Sequence, residues 1–532
     1  MRSWACLLLL ASAASAAPAG QHIVLLDLTP SFAKPAKMAT RVLRNRTLNR
    51  PGLFLGGKQY RGLNCHCPSR VGFDLQATFS SFRVKVGVLD GSPSKNVTFR
   101  VLGDGKVLAA TPPLFVGTPP VPLEVSVKNV FLLELVVDGT GHARGAWIDG
   151  VLTADPGRNL SRFRAFDAPF SPKDYPVAFR RKVNKAIDDG VSFMRFLQKA
   201  NGSWEGDRRQ ALGVTALVTL AMLKAGVKPT DHSMVKAFEF MKTRPLDHTY
   251  SVSVLLMALE AKYFPGGADE KDAYRERPRV ARKLISEEDQ AWIRKAADWL
   301  AGQQGMGYRN SAQRKLFPVW RYPQGGYDLS NTQYALLGLS AANRCGTPTS
   351  RVWLPTLKFL LGAQDKEGPK VVVSRYERRK NFVYRRYENA QARGFGYQVK
   401  SLRTGSMTSA GLASLILCQQ ALYRKRAFQL GWKTKTREGI RDALAWVEEY
   451  FDVQENPFRG RAWWAYYLFN VERSGVLLDT RYIGTRDWYK EGADALMAVQ
   501  NSAGNFGGMI DTAFAVLFLK RATVPAMTSP LD

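Results

Sequence analysis

The residues of this chain best suited to chemistry are acids at turns ahead of apolar segments. They are Asp328 in Tyr327-Asp328-Leu329-Ser330-Asn331-Thr332, Asp511 in Gly508-Met509-Ile510-Asp511-Thr512, and Glu205 and Asp207 after Gly202-Ser203-Trp204. Two carboxyl groups facing each other across a bound sugar would hydrolyse a glycosidic bond. Tyr327, Tyr397 and His248 offer bases instead, and with Arg393 to neutralise a uronate they would suit a lyase. Helix capping explains Asp328 and Asp511 equally well, because a carboxylate ahead of a helix accepts its free backbone N–H groups. Capping would keep Asp328 ionised and lower its pKa.

These acids and bases belong to a recurring unit. A Gly-aromatic turn, a small polar residue and an apolar helix of the form Thr-x-x-Ala-Leu-Leu-x-Leu run from Gln324 to Leu339. Looser copies follow Gly202-Ser203-Trp204, Gly394-Phe395-Gly396-Tyr397 and Gly504-Asn505-Phe506, and a turnless copy follows His248-Thr249-Tyr250. One helical hairpin cannot bury its apolar face alone, so such units stack. The repeated helices read apolar nearly all round, which calls for a second, amphipathic layer outside them. Ile187, Val191, Met194 and Leu197 mark the first helical face, so the helical region is expected over 183–523, with a tail at 524–532.

From Gln21 to Asp155 the period is two. Phe82-Arg83-Val84-Lys85-Val86 and Val97-Thr98-Phe99-Arg100-Val101 alternate apolar and polar residues and are separated by Asp-Gly or Pro-rich turns, the pattern of an antiparallel β-sandwich over 21–155. Prolines 156, 169, 172 and 176 mark 156–182 as a linker.

Charge and leader bound the partners. The 532 residues hold 76 Lys and Arg against 45 Asp and Glu, a net charge of +31, which attracts polyanions. Arg2, the apolar run from Trp4 to Ala11 and Ala14-Ser15-Ala16 form a secretory signal over 1–16, so export is expected and nucleic acid is excluded as a partner. No later stretch reaches the about 20 apolar residues that a membrane-spanning helix needs. Polysaccharide is the expected partner, with acidic and sulfated polymers among the candidates. Its docking surface is expected on a polar loop, 370–403, where Arg378, Arg379, Arg385, Arg386 and Arg393 alternate with aromatics. A solvated loop whose tyrosines pack on the rim is the competing reading. Cys65-His66-Cys67 cannot complete a tetrahedral zinc site, so no metal and no cofactor are expected.

Two resemblances add to this. The run Leu55 to Arg70, with Phe73-Asp74-Leu75, Phe99 to Gly105 and Ala146-Trp147-Ile148-Asp149, resembles the NPCBM carbohydrate-binding module, whose G-x-x-x-H-x-x-S signature is matched by Gly62, His66 and Ser69. Sugar recognition wants an aromatic plate and fixed polar groups, for which Tyr60, His66, Arg70 and Trp147 are the candidates; core packing is the alternative for both aromatics. The helical region resembles the prenyltransferase and squalene-oxidase repeat, which implies an α/α toroid. There Asp328-Leu329-Ser330-Asn331-Thr332 falls on the D-x-D-D-T motif of squalene-hopene-type cyclases, but Ser330 stands where the protonating acid belongs and Asn331 replaces the last acid. A serine hydroxyl cannot protonate an alkene. The expected protein is therefore a β-sandwich followed by an all-α toroid: a polysaccharide-binding protein with a non-cyclase toroid, or a polysaccharide lyase or glycoside hydrolase with its site in the toroid cavity. A terpenoid-acting enzyme with displaced acids is the remaining alternative.

Overall fold

A computed structural model describes residues 21–25, 32–35, 42–44, 52–155 except 76, 94–95 and 140–142, and 175–523 except 205–209, 267–276, 307–316, 323–325 and 380–381. The expected signal peptide, most of the expected linker and the tail lie outside them. Contacts divide the chain into two units, residues 1–47 with 51–166 and residues 48–50 with 167–532.

Alternation builds the first unit. In β8 (Phe79–Val88), Phe82, Val84 and Val86 are buried while Arg83 and Lys85 between them are exposed. This strand sits in a sheet ordered β11 (Val121–Ser126), β8, β13 (Arg144–Ala154), β6 (Gly62–His66), β3 (Val42–Arg44), with β1 (Gln21–Val24) also on β13. A second sheet runs β10 (Lys106–Ala110), β9 (Val97–Gly103), β12 (Leu132–Gly139), β7 (Ser69–Asp74), β2 (Phe32–Pro35). Neighbours within both sheets are antiparallel. The turn from β9 to β10 is Asp104-Gly105, both at positive φ, as a tight hairpin requires. The Asp104 carboxylate also accepts the backbone N–H groups of Phe131 and Leu132, tying the turn to β12. The inward faces share one core that includes Phe73, Phe82, Phe99, Leu135 and Trp147. A small hairpin, β4 (Leu53–Leu55) and β5 (Lys58–Tyr60), packs Leu53, Leu55 and Tyr60 with Leu89 against Ala146 and Ile148, so β13 is covered on both faces.

The second unit is helical and begins earlier than expected. Its first helix, α1 (Val177–Phe196), takes in the last residues assigned to the linker, because Pro176 can sit ahead of a helix without losing a hydrogen bond. Among the described residues, the six most fully buried helices are α2 (Ala211–Ala225), α4 (Thr249–Tyr263), α7 (Leu329–Arg344), α9 (Gly405–Leu422), α12 (Trp464–Leu477) and α14 (Met509–Leu519). Each packs on the next in that order, and α14 packs back on α2. Outside them lie α1, α3 (His232–Lys242), α6 (Glu287–Gly302), α8 (Trp353–Ala363), α11 (Lys433–Glu449) and α13 (Trp488–Met497), each against one or two inner helices. Short α5 (Arg277–Leu284) packs on α7 and α10 (Arg426–Gly431) on α11.

The recurring sequence unit has a recurring job. An aromatic residue ahead of an inner helix donates its backbone N–H to a threonine hydroxyl in that helix: Trp204 to Thr215 at 3.4 Å, Trp320 to Thr332 at 3.3 Å, Phe395 to Thr408 at 3.1 Å, Phe506 to Thr512 at 3.1 Å. A glutamine side chain then ties the turn outward. Gln198 donates to the carbonyls of Gly202 and Ser233, and Gln500 to those of Gly504 and Ala186. In the repeat of α7 the aromatic is Trp320 rather than Tyr327 of the Gly-aromatic pair; Tyr327 instead packs on Phe317 and Phe359. The basic segment expected as a loop is largely a hairpin, β14 (Lys370–Arg379) with β15 (Phe382–Gln391), in which Arg375 pairs with Arg386 and Arg378 with Val383. The β-branched and aromatic residues Val371, Val372, Val373, Tyr376, Phe382, Val383, Tyr384 and Tyr387 favour strand.

Candidate functional site

In the β-sandwich the four sugar-contact candidates do not come together. Trp147 is 0% exposed, edge-on to Phe99 at 5.3 Å in the core between the sheets, so it is a packing residue and not a stacking plate. Its alternation partners Ala146 and Ile148 face the small hairpin, on the side where Tyr60 packs. His66 ends β6 opposite Arg144 and is buried. Arg70 lies in the other sheet, on β7, where its guanidinium makes a two-pronged ion pair with buried Glu134 at 2.6 and 2.5 Å. Arg70 is thereby occupied. Cys65 and Cys67 are buried thiols, each pushed up to about 12 chiefly by burial, which makes them poor metal ligands.

In the helical unit a cluster forms at the N-terminus of α7. Asp328 caps the helix: its Oδ1 accepts the Asn331 backbone N–H and the Ser330 hydroxyl, and its Oδ2 accepts the Asn331 side-chain amide, all at 2.7 Å. Capping was expected, but lowering of the pKa was not found. Burial pushes the Asp328 carboxyl up and outweighs these bonds and the hydroxyl of Tyr397, which pull it down. Tyr397 is 41% exposed, and its backbone carbonyl accepts the N–H of Leu329 at 2.9 Å. Burial and the adjacent Asp328 charge raise the phenols of Tyr397 and Tyr322. A carboxyl kept towards its neutral form beside two phenols can donate a proton or a hydrogen bond to a ligand hydroxyl. Behind it Tyr250 stacks on Tyr334 at 3.9 Å, and the Tyr466 hydroxyl donates to Gln333 at 2.9 Å.

The other candidates scatter. His248 precedes α4 and pairs with Asp247 at 2.8 Å, while Thr249 donates to the Arg321 carbonyl next to Tyr322. Asp511 lies in the first turn of α14 without capping it, and burial raises its carboxyl; in the packing cycle α14 is three helices from α7 either way. Glu205 and Asp207 lie outside the described residues, as do the side chains of Arg378, Arg379, Arg385 and Arg386. Arg393 is not an open anion site: it donates to the buried carboxylate of Asp442 at 2.7 Å. Replacing it leaves Asp442 Oδ2 without its 2.7 Å donor while Arg441 and the Gln391 backbone N–H serve Oδ1, so Arg393→Ala should lower unfolding stability by about 2 kcal/mol. Chemical denaturation reads this directly, and unchanged stability with reduced polyanion binding would return Arg393 to the surface role.

Comparison with known proteins decides the first unit. Residues 21–153 match the family model of the NPCBM/NEW2 domain. No curated protein matches the chain. Among solved structures, the chain is similar to the M60 catalytic domain with two CBM51 domains of Clostridium perfringens ZmpB, at 22% identity over 26% of this chain and 15% of that one, TM-score 0.23. It is also similar to the CBM51 of C. perfringens GH95 in complex with methyl-galactose, at 19% identity over 25% of this chain and 100% of that one, TM-score 0.23. A rhamnosidase of Klebsiella oxytoca with rhamnose bound is 12% identical over 90% of this chain and 81% of that one, TM-score 0.28. The chain thus spans only a small part of the first of these.

Beyond the NPCBM domain, sequence reasoning passed over Tyr322 and Trp463. Trp463 is 63% exposed at the N-cap of α12, and it holds a φ of 57°, a left-handed conformation that costs a bulky residue energy. Its loop is fastened from within by Asn456, which donates to the Ser406 hydroxyl at 3.0 Å and the Ala462 carbonyl at 3.1 Å. The doublet Trp463-Trp464 ahead of an apolar run was the available signal: one ring anchors, with its indole donating to Val453, and the other is presented outward.

Proposed function

We propose that this chain is an exported polysaccharide-binding protein, in which the NPCBM domain binds sugar and the helical unit is an α/α toroid that serves as a binding or scaffold domain and is not a cyclase. The observation that carries the reading is the match of residues 21–153 to the NPCBM/NEW2 domain. Toroid closure is supported by the cyclic packing of the six inner helices, and the scaffold role by the small size, about 40 Å³, of the cavity that the described residues form at their C-terminal ends. Ser330 and Asn331 at the acid positions, both spent on hydrogen bonds to Asp328, support the absence of cyclisation. Within the NPCBM domain Trp147 is spent on the core and Arg70 on Glu134, which leaves Tyr60 and His66 as the sugar-contact candidates. The net charge of +31 supports an acidic or sulfated glycan, met by Arg378, Arg379, Arg385 and Arg386.

Electrophoresis of the full chain through gels containing sulfated, uronic or neutral polysaccharide tests this. Retardation is expected, and on the anionic polymers it should weaken as salt shortens the screening length to about 8–10 Å. Mobility unchanged by every polysaccharide at low salt would overturn the reading.

The second reading, a polysaccharide lyase or glycoside hydrolase, is favoured by one observation: the Asp328 carboxyl is raised and sits beside Tyr397. It requires that the retained polysaccharide be cut, and that Tyr397→Phe abolish the cutting.

A further inference from the structure

We infer that the helical unit binds a small monovalent anion of chloride's size, in the cavity enclosed by the C-terminal halves of its inner helices, against the guanidinium of Arg473. All six inner helices contribute to that cavity: Leu220, Met257, Leu337, Leu417, Phe469 and Leu517 form its apolar wall. Its volume of about 40 Å³ exceeds the roughly 10–15 Å³ that one water needs, so a single monatomic ion fits.

Charge around it is unbalanced. Lys224, Arg344 and Arg473 line the cavity with one acid, Glu260. Glu260 is bound by Arg344 at 2.6 and 2.8 Å, and the Lys224 ammonium donates to the carbonyl of Gly266. Arg473 is left over. It is 1% exposed, its Nη1 donates to Asn470 Oδ1 at 3.2 Å, and its Nη2 has no hydrogen-bond partner. The adjacent Glu472 attracts it electrostatically, but that carboxylate makes its hydrogen bonds with Thr523 and not with the guanidinium, so it does not cap Nη2. A buried guanidinium nitrogen without a hydrogen-bond partner is costly, and an anion on Nη2 offsets that cost. The partial negative charge of helix C-termini opposes an anion here, but it acts within the last turn, and Arg473 lies one turn in from the end of α12. Lys224 and Arg344 cover the ends of their own helices.

The test is thermal unfolding of the full chain in sodium chloride against sodium gluconate at constant ionic strength. Chloride and bromide should raise Tm by about 2–4 °C for each tenfold increase above the dissociation constant, and gluconate, too large for the cavity, should not. Arg473→Met should erase the difference between the two salts. If that variant does not fold, crystals of the wild-type chain soaked in bromide decide, with an anomalous peak expected in the cavity at Arg473 Nη2. Superimposable curves in chloride and gluconate, or a cavity without a bromide peak, would overturn the assignment.

Discussion

Trp147→Ala is expected to unfold the NPCBM domain and not to strip it of a sugar contact. The indole is fully buried between the sheets, packed edge-on against Phe99, on a strand covered on its other face by the β4–β5 hairpin. Replacing a buried tryptophan with alanine costs about 3–5 kcal/mol, because the transfer free energy is lost and the surroundings cannot close over the cavity. That is a large fraction of the roughly 5–15 kcal/mol that stabilises a typical domain. Denaturant unfolding of the full chain, followed by near-ultraviolet circular dichroism, should show one transition displaced to lower denaturant and the helical transition unmoved. At a temperature where the variant remains folded, retention on polysaccharide should equal that of the wild type. Lost retention with wild-type unfolding would restore Trp147 as a contact residue.

The misplacement of Trp147 shows what sequence can reach. Strand positions were legible because one face of most strands is solvated, so Phe82, Val84 and Val86 alternate with Arg83 and Lys85. On β13 the hairpin buries Ala146 and Ile148 as deeply as Trp147, and a strand covered on both faces gives no alternation from which to choose the inner side. The helical repeat was legible because the same threonine–aromatic bond is made four times, yet two aromatics precede Thr332, and only packing selects Trp320 over Tyr327. Arg393 could not be distinguished from its arginine neighbours, since Asp442, which claims it, lies 49 residues further on. At Asp328 the cap was readable from the motif, whereas the sign of the pKa shift depends on burial in the tertiary fold, which outweighs the hydrogen bonds of Asn331, Ser330 and Tyr397. Site chemistry here is set by residues distant in sequence, and the local pattern fixes only which side chains are available.

Stability of the helical unit should fall as pH rises from about 4.5 to 7, and Glu472 should cause most of the fall. Its carboxyl is fully buried in α12; Thr523 donates to it through its backbone N–H at 3.1 Å and its hydroxyl at 2.6 Å, and Arg473 and Arg521 are the charged groups facing it. Burial outweighs these favourable contacts and raises the group from 4.5 to about 7. The sign follows from proton uptake. Below pH 4.5 the carboxyl is neutral in both folded and unfolded chains, and the contribution is fully present. Between the two values the folded chain holds a proton that the unfolded chain has released, so each rise in pH favours unfolding. Above 7 both are ionised, and the fold carries a buried charge at a cost of about 3 kcal/mol. Glu472→Gln keeps the shape and a hydrogen-bonding amide but removes the proton. The variant should therefore be more stable than the wild type at pH 8, equal to it near pH 4.5, and without the intervening slope. Parallel Tm profiles for the two proteins across that window would show that Glu472 is ionised in the fold throughout, with Arg473 and Arg521 as true counter-ions, and would remove one argument for an anion at Arg473.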